Sequence, residues 1–330
     1  MNLINKKDNI FIAGHTGMVG NAVKKTLKKN GYTNLLLPSR QDLDLLNNRS
    51  VEKWFNENNP KVVILAAAKV GGIEANSKYP ADFILENLKI QTNIIENSWR
   101  KGTKRFLFLG SSCIYPKLAT QPIKEEYLLT GALEPTNEPY AIAKIAGIKL
   151  CSTLKKQYGF DAISLMPTNL YGPGDNYHLN NSHVMPALIS KFYKAKINNE
   201  KEVICWGTGE PKREFLYVDD LADAIVFVLE NISSKNQLIN NKGLSIDGIL
   251  NIGTGLDISI KKLAELISSE LKYEGKIRWD ASKPNGTPRK LLDVSKSNEL
   301  GWKSKITLEE GIKLTIDNFI KEYKNKSLRI

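Results

Sequence analysis

Three glycines, Gly14, Gly17 and Gly20, directly follow a short apolar segment over residues 9–13. The apolar segment predicts a buried strand, and the glycines predict a tight turn into a helix that runs to about residue 29. Glycines at this spacing let a pyrophosphate approach the helix N-terminus, where unpaired amides and the helix dipole favour negative charge. The start of the chain therefore predicts a dinucleotide-binding unit rather than a signal peptide.

Strands and helices continue to alternate through the first half of the chain. Strands are predicted at residues 34–37, 62–67, 105–109 and 161–166, and helices at about 83–100 and 140–158. This alternation is typical of parallel sheets with helices on both faces. The sequence therefore predicts an α/β fold, with a Rossmann-like doubly wound parallel sheet and a smaller, mostly C-terminal α/β substrate domain.

Beyond residue 172 the pattern loosens into loops rich in Gly, Pro and Asn. These loops are predicted at 171–182, 206–213 and 282–288, with a helix at about 219–229 and a strand at 249–252 between them. We expect residues 1–172 to form an NADP-binding domain to which 217–256 return. Residues 173–330 are expected to form an interleaved substrate-binding domain, because no repeat or low-complexity linker separates the two.

Charge and cysteine content bear on partners and compartment. The chain carries 47 Lys and Arg against 35 Asp and Glu, but the basic residues are spread without a dense tract or a zinc or RNA-binding motif. This favours an anionic substrate over a nucleic acid.

No apolar run is long enough to span a membrane. Cys113, Cys151 and Cys205 lack paired metal spacing, which indicates free thiols in a reducing compartment and no metal. We therefore expect a cytoplasmic protein without membrane partners.

Tyr140 and Lys144 stand four residues apart on a predicted helix. At this spacing they share one face, so the ammonium is expected to lie near the phenol and favour its ionised form. Ser111, which follows the strand at 105–109, is placed to hold the same carbonyl oxygen. A Tyr-x-x-x-Lys pair alone is more often a solvated face. Its combination with the glycine turn points to carbonyl reduction with a nicotinamide.

The residue after the second strand indicates which nicotinamide cofactor is used. An acidic side chain near this point holds the ribose hydroxyls of NAD, whereas this chain has Arg40. A guanidinium pairs with a 2′-phosphate instead. The predicted cofactor is therefore NADP(H).

Motifs spread over nearly the whole chain resemble those of one enzyme family. They are FIAGHTGMVG at 11–20, AAAKVGG at 66–72, LGSSCIYP at 109–116, EPTNEPYAIAK at 134–144, MPTNLYG at 166–172, NSHV at 181–184, REF at 213–215 and DASKP at 280–284. The chain resembles the extended short-chain dehydrogenase/reductases and, within them, the GDP-L-fucose synthase family. The resemblance implies epimerisation of GDP-4-keto-6-deoxy-D-mannose at C3 and C5, NADPH-dependent reduction at C4, and a homodimer.

The resemblance also assigns the catalytic residues. Ser111, Tyr140 and Lys144 would serve reduction, with Cys113 as the base and His183 as the opposing acid of epimerisation. Cys113 lies two residues beyond Ser111, so in an extended segment both side chains would point the same way. A Cys after a core strand is otherwise a small buried hydrophobe, and a loop His is otherwise a surface residue.

Cofactor and substrate residues follow from the same matched motifs. Cofactor contacts are expected from Gly14, His15, Thr16, Gly17, Met18, Val19, Gly20, Arg40, Ala67, Leu109, Gly110, Lys144, Pro167, Thr168, Asn169, Leu170 and His183. Substrate contacts are expected from Ser112, Lys191, Trp206, Arg213, Asp280 and Lys283. For the charged side chains the alternative is a solvated surface position, and for the tryptophan it is a core position.

Two positions depart from the family pattern, and three other functions remain open. Thr16 stands where the family often has a basic residue. Lys191 replaces an Arg, which keeps the positive charge but loses the bidentate hydrogen bonding of a guanidinium.

A nucleotide-sugar dehydratase would place an acidic residue near Cys113. A simple 4-epimerase would not need both Cys113 and His183, and a cofactor-sensing protein tends to lose the Tyr/Lys pair.

Overall fold

A computed structural model of the chain describes residues 3–178, 182–233, 248–283 and 285–330. The strands are β1 (Ile10–Ala13), β2 (Leu35–Leu36), β3 (Val62–Leu65), β4 (Arg105–Leu109), β5 (Ala162–Pro167), β6 (Asn169–Tyr171), β7 (Glu202–Trp206), β8 (Lys212–Tyr217), β9 (Ile249–Ile252), β10 (Asp257–Ser259), β11 (Lys276–Asp280) and β12 (Arg289–Lys290). The α-helices are α1 (Met18–Lys29), α2 (Asn48–Asn58), α3 (Ile73–Lys78), α4 (Pro80–Arg100), α5 (Glu138–Tyr158), α6 (Val184–Ile197), α7 (Val218–Asn231), α8 (Ile260–Glu270), α9 (Ser295–Glu299) and α10 (Leu308–Lys324).

Six parallel strands form the central sheet, in the order β2-β1-β3-β4-β5-β9. Strand residues alternate between two apolar layers, as β1 shows: Ile10 and Ile12 pack on one face with α1 and α7, while Phe11 and Ala13 pack on the other with α2, α4 and α5. Burial on both faces explains why these strands read as continuous apolar runs. The predicted α/β fold with a doubly wound parallel sheet is confirmed.

A smaller assembly lies beyond this sheet. Strand β8 pairs with β10, β12 and β6, and β7 pairs with β11 in parallel. Helices α6, α8 and α10 pack around a third apolar cluster that includes Phe192, Ile267 and Phe319. Strand β9 returns to the large sheet, and α7 packs against α1. The division into cofactor and substrate domains at residue 172 stays a prediction.

The ends of the predicted loops differ from the structure. Trp206 closes β7, and β8 begins at Lys212, so the loop predicted at 206–213 is wrong at both ends. The reason is that β7 alternates exposed and buried residues at a sheet edge, a pattern less apolar than that of the central strands. Asn181 and Pro284, which belong to two of the matched motifs, lie outside the described residues. Among the helices that are described, none has the length and apolar composition to cross a bilayer.

The glycine turn is held by close backbone contacts. Gly14 has a φ of +88°, and a Cβ there would lie 2.8 Å from the Ala67 amide nitrogen. A Cβ on Gly20 would overlap the Gly14 carbonyl oxygen, because the first turn of α1 packs directly on the end of β1. Gly14 and Gly20 are therefore required, because the turn packs on itself and on the two residues that follow β3.

We expect Gly20→Ala to destabilise the folded protein by roughly 1–3 kcal/mol, because the added methyl group can be accommodated only by moving backbone. Gly17→Ala is the matched control, since its Cβ would lie 3.5 Å from the Gly14 carbonyl oxygen, an ordinary contact. Urea unfolding of the two variants without ligand measures the difference. Equal midpoints for both variants would show that the turn relaxes freely.

Candidate active site

Fourteen of the seventeen predicted cofactor residues, all but Arg40, Lys144 and His183, gather where the central parallel strands end. They are Gly14, His15, Thr16 and Gly17 in the turn after β1, Met18, Val19 and Gly20 at the start of α1, Ala67 after β3, Leu109 and Gly110 at the end of β4, and Pro167, Thr168, Asn169 and Leu170 along β5 and β6. Ligands of open α/β sheets bind at this edge. The structure thus brings together residues that are up to 156 positions apart in the sequence.

The glycine turn fits the phosphates of a dinucleotide. Gly17 is the N-cap of α1, with no side-chain cap, and the first turn of the helix carries no acidic residue. The helix start therefore offers amide donors and the positive end of its dipole. Above it, the imidazole of His15 has its pKa lowered by partial burial and by the charge of Lys24. A neutral imidazole and unpaired amides are compatible with a bound pyrophosphate.

Arg40 lies in the turn that follows β2, and its side chain is exposed. Thr16 is likewise exposed, in the glycine turn. The neighbouring Ser39 and Asp42 are engaged with each other, the Ser39 hydroxyl donating to the Asp42 carboxylate over 2.7 Å. The Arg40 guanidinium is thus an exposed cation beside β2, the edge strand of the central sheet.

The segment after β4 is a turn and not the extended segment that the sequence predicted. Residues Ser112–Ile114 form a 3₁₀ turn, and the Cys113 amide donates to the Ser111 hydroxyl oxygen over 3.2 Å. The prediction that Ser111 and Cys113 point the same way on an extended backbone is wrong, because the Ser111 side chain caps the turn and bends the chain. Ser112, a predicted substrate residue, is 3 % exposed.

Tyr140 and Lys144 share a face of α5, but their interaction differs from the prediction. The Lys144 ammonium donates to the Leu109 carbonyl over 2.7 Å and lies 5.9 Å from the Tyr140 ring centre. Burial lowers the pKa of Lys144 to about 7. Burial and the charge of Cys113 raise the pKa of Tyr140, while a hydrogen bond with Ser111 acts in the opposite direction. The expectation that the lysine favours an ionised phenol is therefore wrong for this arrangement.

Polar groups from three distant parts of the chain approach the Cys113 thiol. The Asn137 side-chain amide donates to Sγ over 3.3 Å, and the Lys290 ammonium donates over 3.7 Å. Arg213 is close enough for its charge to interact with Cys113. Sequence reasoning missed Asn137 and Lys290. Asn137 stands three residues before Tyr140 within a matched motif, whereas nothing in the sequence near Lys290 signals its role.

His183 is the N-cap of α6, and its side chain remains accessible to solvent in the cleft. The protein groups crowded around the imidazole lower its pKa, and the charge of Lys290 lowers it further. The charge of Lys290 thus acts on His183, while its ammonium contacts the Cys113 sulfur.

Four of the predicted substrate residues form a group on α6, on β7 and at or just beyond the end of β11. Trp206 and Asp280 are register partners on β7 and β11. The ammonium groups of Lys191 and Lys283 lie 5.3 and 5.4 Å from the Trp206 ring centre. Trp206 is 49 % exposed, so it is not the core aromatic that the sequence left open. Two cations beside an exposed indole plane suit a nucleoside diphosphate.

Arg213 lies apart from that group and closer to the reacting residues. Its guanidinium donates to the Lys212 carbonyl over 2.8 Å, and burial lowers its pKa, an effect that the charges of Cys113 and Glu134 oppose. In the described part of the chain, no set of three His, Cys, Asp or Glu side chains is grouped to hold a metal ion.

The sequence profile of the NAD dependent epimerase/dehydratase family matches residues 10–253, which include the glycine turn, the Ser111–Cys113 turn, the Tyr140 helix and His183. The chain belongs to this family. The match spans the central sheet and the start of the smaller assembly.

Individual members of the family are similar over nearly the full length. GDP-L-fucose synthase 1 of Arabidopsis thaliana is 54 % identical over 321 residues, covering 97 % of this chain and 96 % of its own. GDP-L-fucose synthase of Escherichia coli strain K12 is 51 % identical over 314 residues, which are 95 % of this chain and 97 % of its own. The crystal structure of a GDP-L-fucose synthetase from Naegleria fowleri bound to NADP is 26 % identical and has a TM-score of 0.86. The similarity covers 99 % of this chain and 98 % of that one.

We expect Arg40→Ala to raise the KM for NADPH by on the order of tenfold or more and to change the KM for NADH little, because only NADPH carries the 2′-phosphate. Arg49→Ala, which removes an exposed guanidinium from α2, is the control. Initial rates with both cofactors measure the effect. An equal increase for the two cofactors would direct attention to Thr16 instead.

Proposed function

We propose that this enzyme converts GDP-4-keto-6-deoxy-D-mannose to GDP-L-fucose, by epimerisation at C3 and C5 followed by NADPH-dependent reduction at C4. The observation that carries the proposal is the Cys113 thiol, held by Asn137 and Lys290 beside the hydrogen-bonded Ser111 and Tyr140. A reductase alone needs no thiol at that position. The identity of over 50 % to GDP-L-fucose synthases supports the same substrate.

The 4-keto group makes epimerisation possible. It acidifies the hydrogens at C3 and C5, because removing either one leaves an enolate whose charge rests on the C4 oxygen. The Cys113 thiolate takes the proton from one face and becomes a thiol. The His183 imidazolium gives a proton to the opposite face and becomes neutral, which inverts the carbon. The Ser111 and Tyr140 hydroxyls donate to the enolate oxygen.

Reduction at C4 uses the same ketone. Bound NADPH would supply the hydride. Tyr140 gives its proton to the C4 oxygen, which Ser111 holds in place. The raised pKa of Tyr140 keeps the phenol protonated in the free site, as an acid must be. Lys144, with a pKa of about 7, is able to carry a proton toward Tyr140 near neutrality.

The remaining roles are proposed on the charge and chemistry of the residues. Lys191, Arg213 and Lys283 are proposed to pair with the substrate diphosphate, and Trp206 and Asp280 to contact its polar groups. The residues of the glycine turn and of the ends of β3, β4 and β5 are proposed to hold NADP(H). With these roles, residues 1–172 and 217–256 serve the cofactor, and the rest of 173–330 serves the substrate.

The assembly and compartment are proposed on separate grounds. Exposed apolar side chains on the adjacent helices α4 and α5, Leu85 and Ile142, support a homodimer. The free thiols Cys113, Cys151 and Cys205 support the cytoplasm, where thiols stay reduced. Light scattering of the purified protein tests the dimer directly.

Incubation with NADPH and GDP-4-keto-6-deoxy-D-mannose in deuterated water, followed by NMR of the sugar, tests the reaction. The expected product is GDP-L-fucose with deuterium at C3 and C5. A reduced sugar of the D series without deuterium would identify a plain 4-reductase. Recovery of unchanged sugar would contradict the proposal altogether.

A further inference from the structure

Lys290 is placed at the reacting centre, although the roles above leave it unassigned. It ends β12, a two-residue strand, where it is the register partner of Arg213 on β8. Its half-buried ammonium lies 3.7 Å from the Cys113 Sγ. A cation at this distance from sulfur favours the thiolate over the neutral thiol.

The same ammonium also affects His183 on another element. Positive charge disfavours the imidazolium, and the Lys290 charge contributes to lowering the His183 pKa. Cys113 additionally faces the Tyr140 phenol from α5 and the Arg213 guanidinium from β8. Of these groups, Lys290 is the one that bonds to the thiol and also acts on the imidazole.

We propose that Lys290 is a positioning residue that acts on both epimerisation groups, because its ammonium contacts the Cys113 sulfur and favours the thiolate there, while the same charge disfavours the imidazolium of His183. The proposal rests on the proposed function, in which these two residues exchange protons with C3 and C5. It adds that one cation, contributed by β12, determines the pH range in which they work.

The sign of the effect follows from the charge. Epimerisation needs the thiolate, whose fraction rises with pH, and the imidazolium, whose fraction falls with pH. The thiolate therefore sets the acid limit of the pH range for epimerisation, and the imidazolium sets the alkaline limit. Lys290 favours the thiolate and disfavours the imidazolium, so it moves both limits toward lower pH. Removing its charge is expected to move both limits upward, which a loss of packing alone would not do.

Lys290→Met tests the proposal, with Lys290→Arg as the conservative variant and Lys212→Met as the control. Lys212 is an exposed lysine of β8, and its substitution changes the net charge by the same amount. The first measurement is the rate of Cys113 alkylation by iodoacetamide across pH, followed by mass spectrometry of the peptide. Cys151 and Cys205 are each 1 % exposed and do not interfere in the folded protein.

Lys290→Met is expected to slow Cys113 alkylation at pH 7 by on the order of tenfold and to shift its pH dependence upward. The pKa of His183, followed by NMR of the imidazole, is expected to rise toward its ordinary value. Lys290→Arg and Lys212→Met are expected to leave both close to those of the unsubstituted protein. Unchanged alkylation and an unchanged imidazole titration in Lys290→Met would overturn the proposal.

Failure of the proposal for Lys290 can be distinguished from failure of the proposed function. Alkylation and imidazole titration need no substrate, so they report on Lys290 even if the sugar is a different one. Deuterium exchange into GDP-4-keto-6-deoxy-D-mannose, measured across pH, then shows whether both limits move upward. Absence of exchange in the unsubstituted protein would contradict the proposed function instead. Lys290→Gln provides the same test if the Met variant does not fold.

Discussion

Tyr140→Phe is expected to lose C4 reduction by about 100-fold or more, and to lose less of its epimerisation because Ser111 still donates to the enolate oxygen. Hydride arriving at C4 leaves an alkoxide, and the variant has no acid hydrogen-bonded to Ser111 to protonate it. The measurement is the rate of NADPH oxidation with GDP-4-keto-6-deoxy-D-mannose, alongside deuterium exchange at C3 and C5.

Tyr158→Phe is the matched control for this variant. Tyr158 ends the same helix, is 53 % exposed and loses only a hydrogen bond from the Gln157 side chain. Its rate should stay close to that of the unsubstituted protein. Near-normal NADPH oxidation by Tyr140→Phe would show that Tyr140 is not the acid that protonates the C4 oxygen.

Cys113→Ala is expected to abolish deuterium exchange at C3 and C5, because no base remains to form the enolate. His183→Ala is expected to retain some exchange without inversion, since Cys113 still removes a proton and returns one to the same face. Both variants keep Ser111, Tyr140 and Lys144. A slow direct reduction to a 6-deoxy sugar of the D series should therefore appear with NADPH.

NMR of the sugar recovered from deuterated water, with and without NADPH, distinguishes these outcomes. Cys151→Ala is the control, because it removes a buried thiol of α5 that belongs to the apolar core. Full exchange and normal GDP-L-fucose formation by Cys113→Ala would show that Cys113 is not the base and has only a structural role.

The central sheet could be predicted from the sequence because its strands are apolar on both faces. The runs at β1, β3, β4 and β5 are wholly buried, and the glycine turn marks where the first of them meets α1. The outer helices α2, α8 and α10 were missed. Each begins with a side-chain cap from Asn47, Ser259 or Thr307, which is a signal that the sequence did contain.

The candidate site could be predicted only in part, for two physical reasons. Local spacing placed Lys144 beside Tyr140, but the direction of its ammonium depends on a carbonyl of β4, which is 35 residues away. Similarly, Lys290 reaches Cys113 across 177 residues through the pairing of β12 with β8. Contacts of this kind depend on tertiary packing and leave no periodic pattern in the sequence.

The pairing of β8 with both β6 and β12 has a consequence for substitutions made far from the cleft. Strand β6 follows β5 of the large sheet after Thr168 alone, and Lys290 on β12 is the register partner of Arg213 on β8. A substitution that shifts β8 would therefore move both cations together relative to the end of β5.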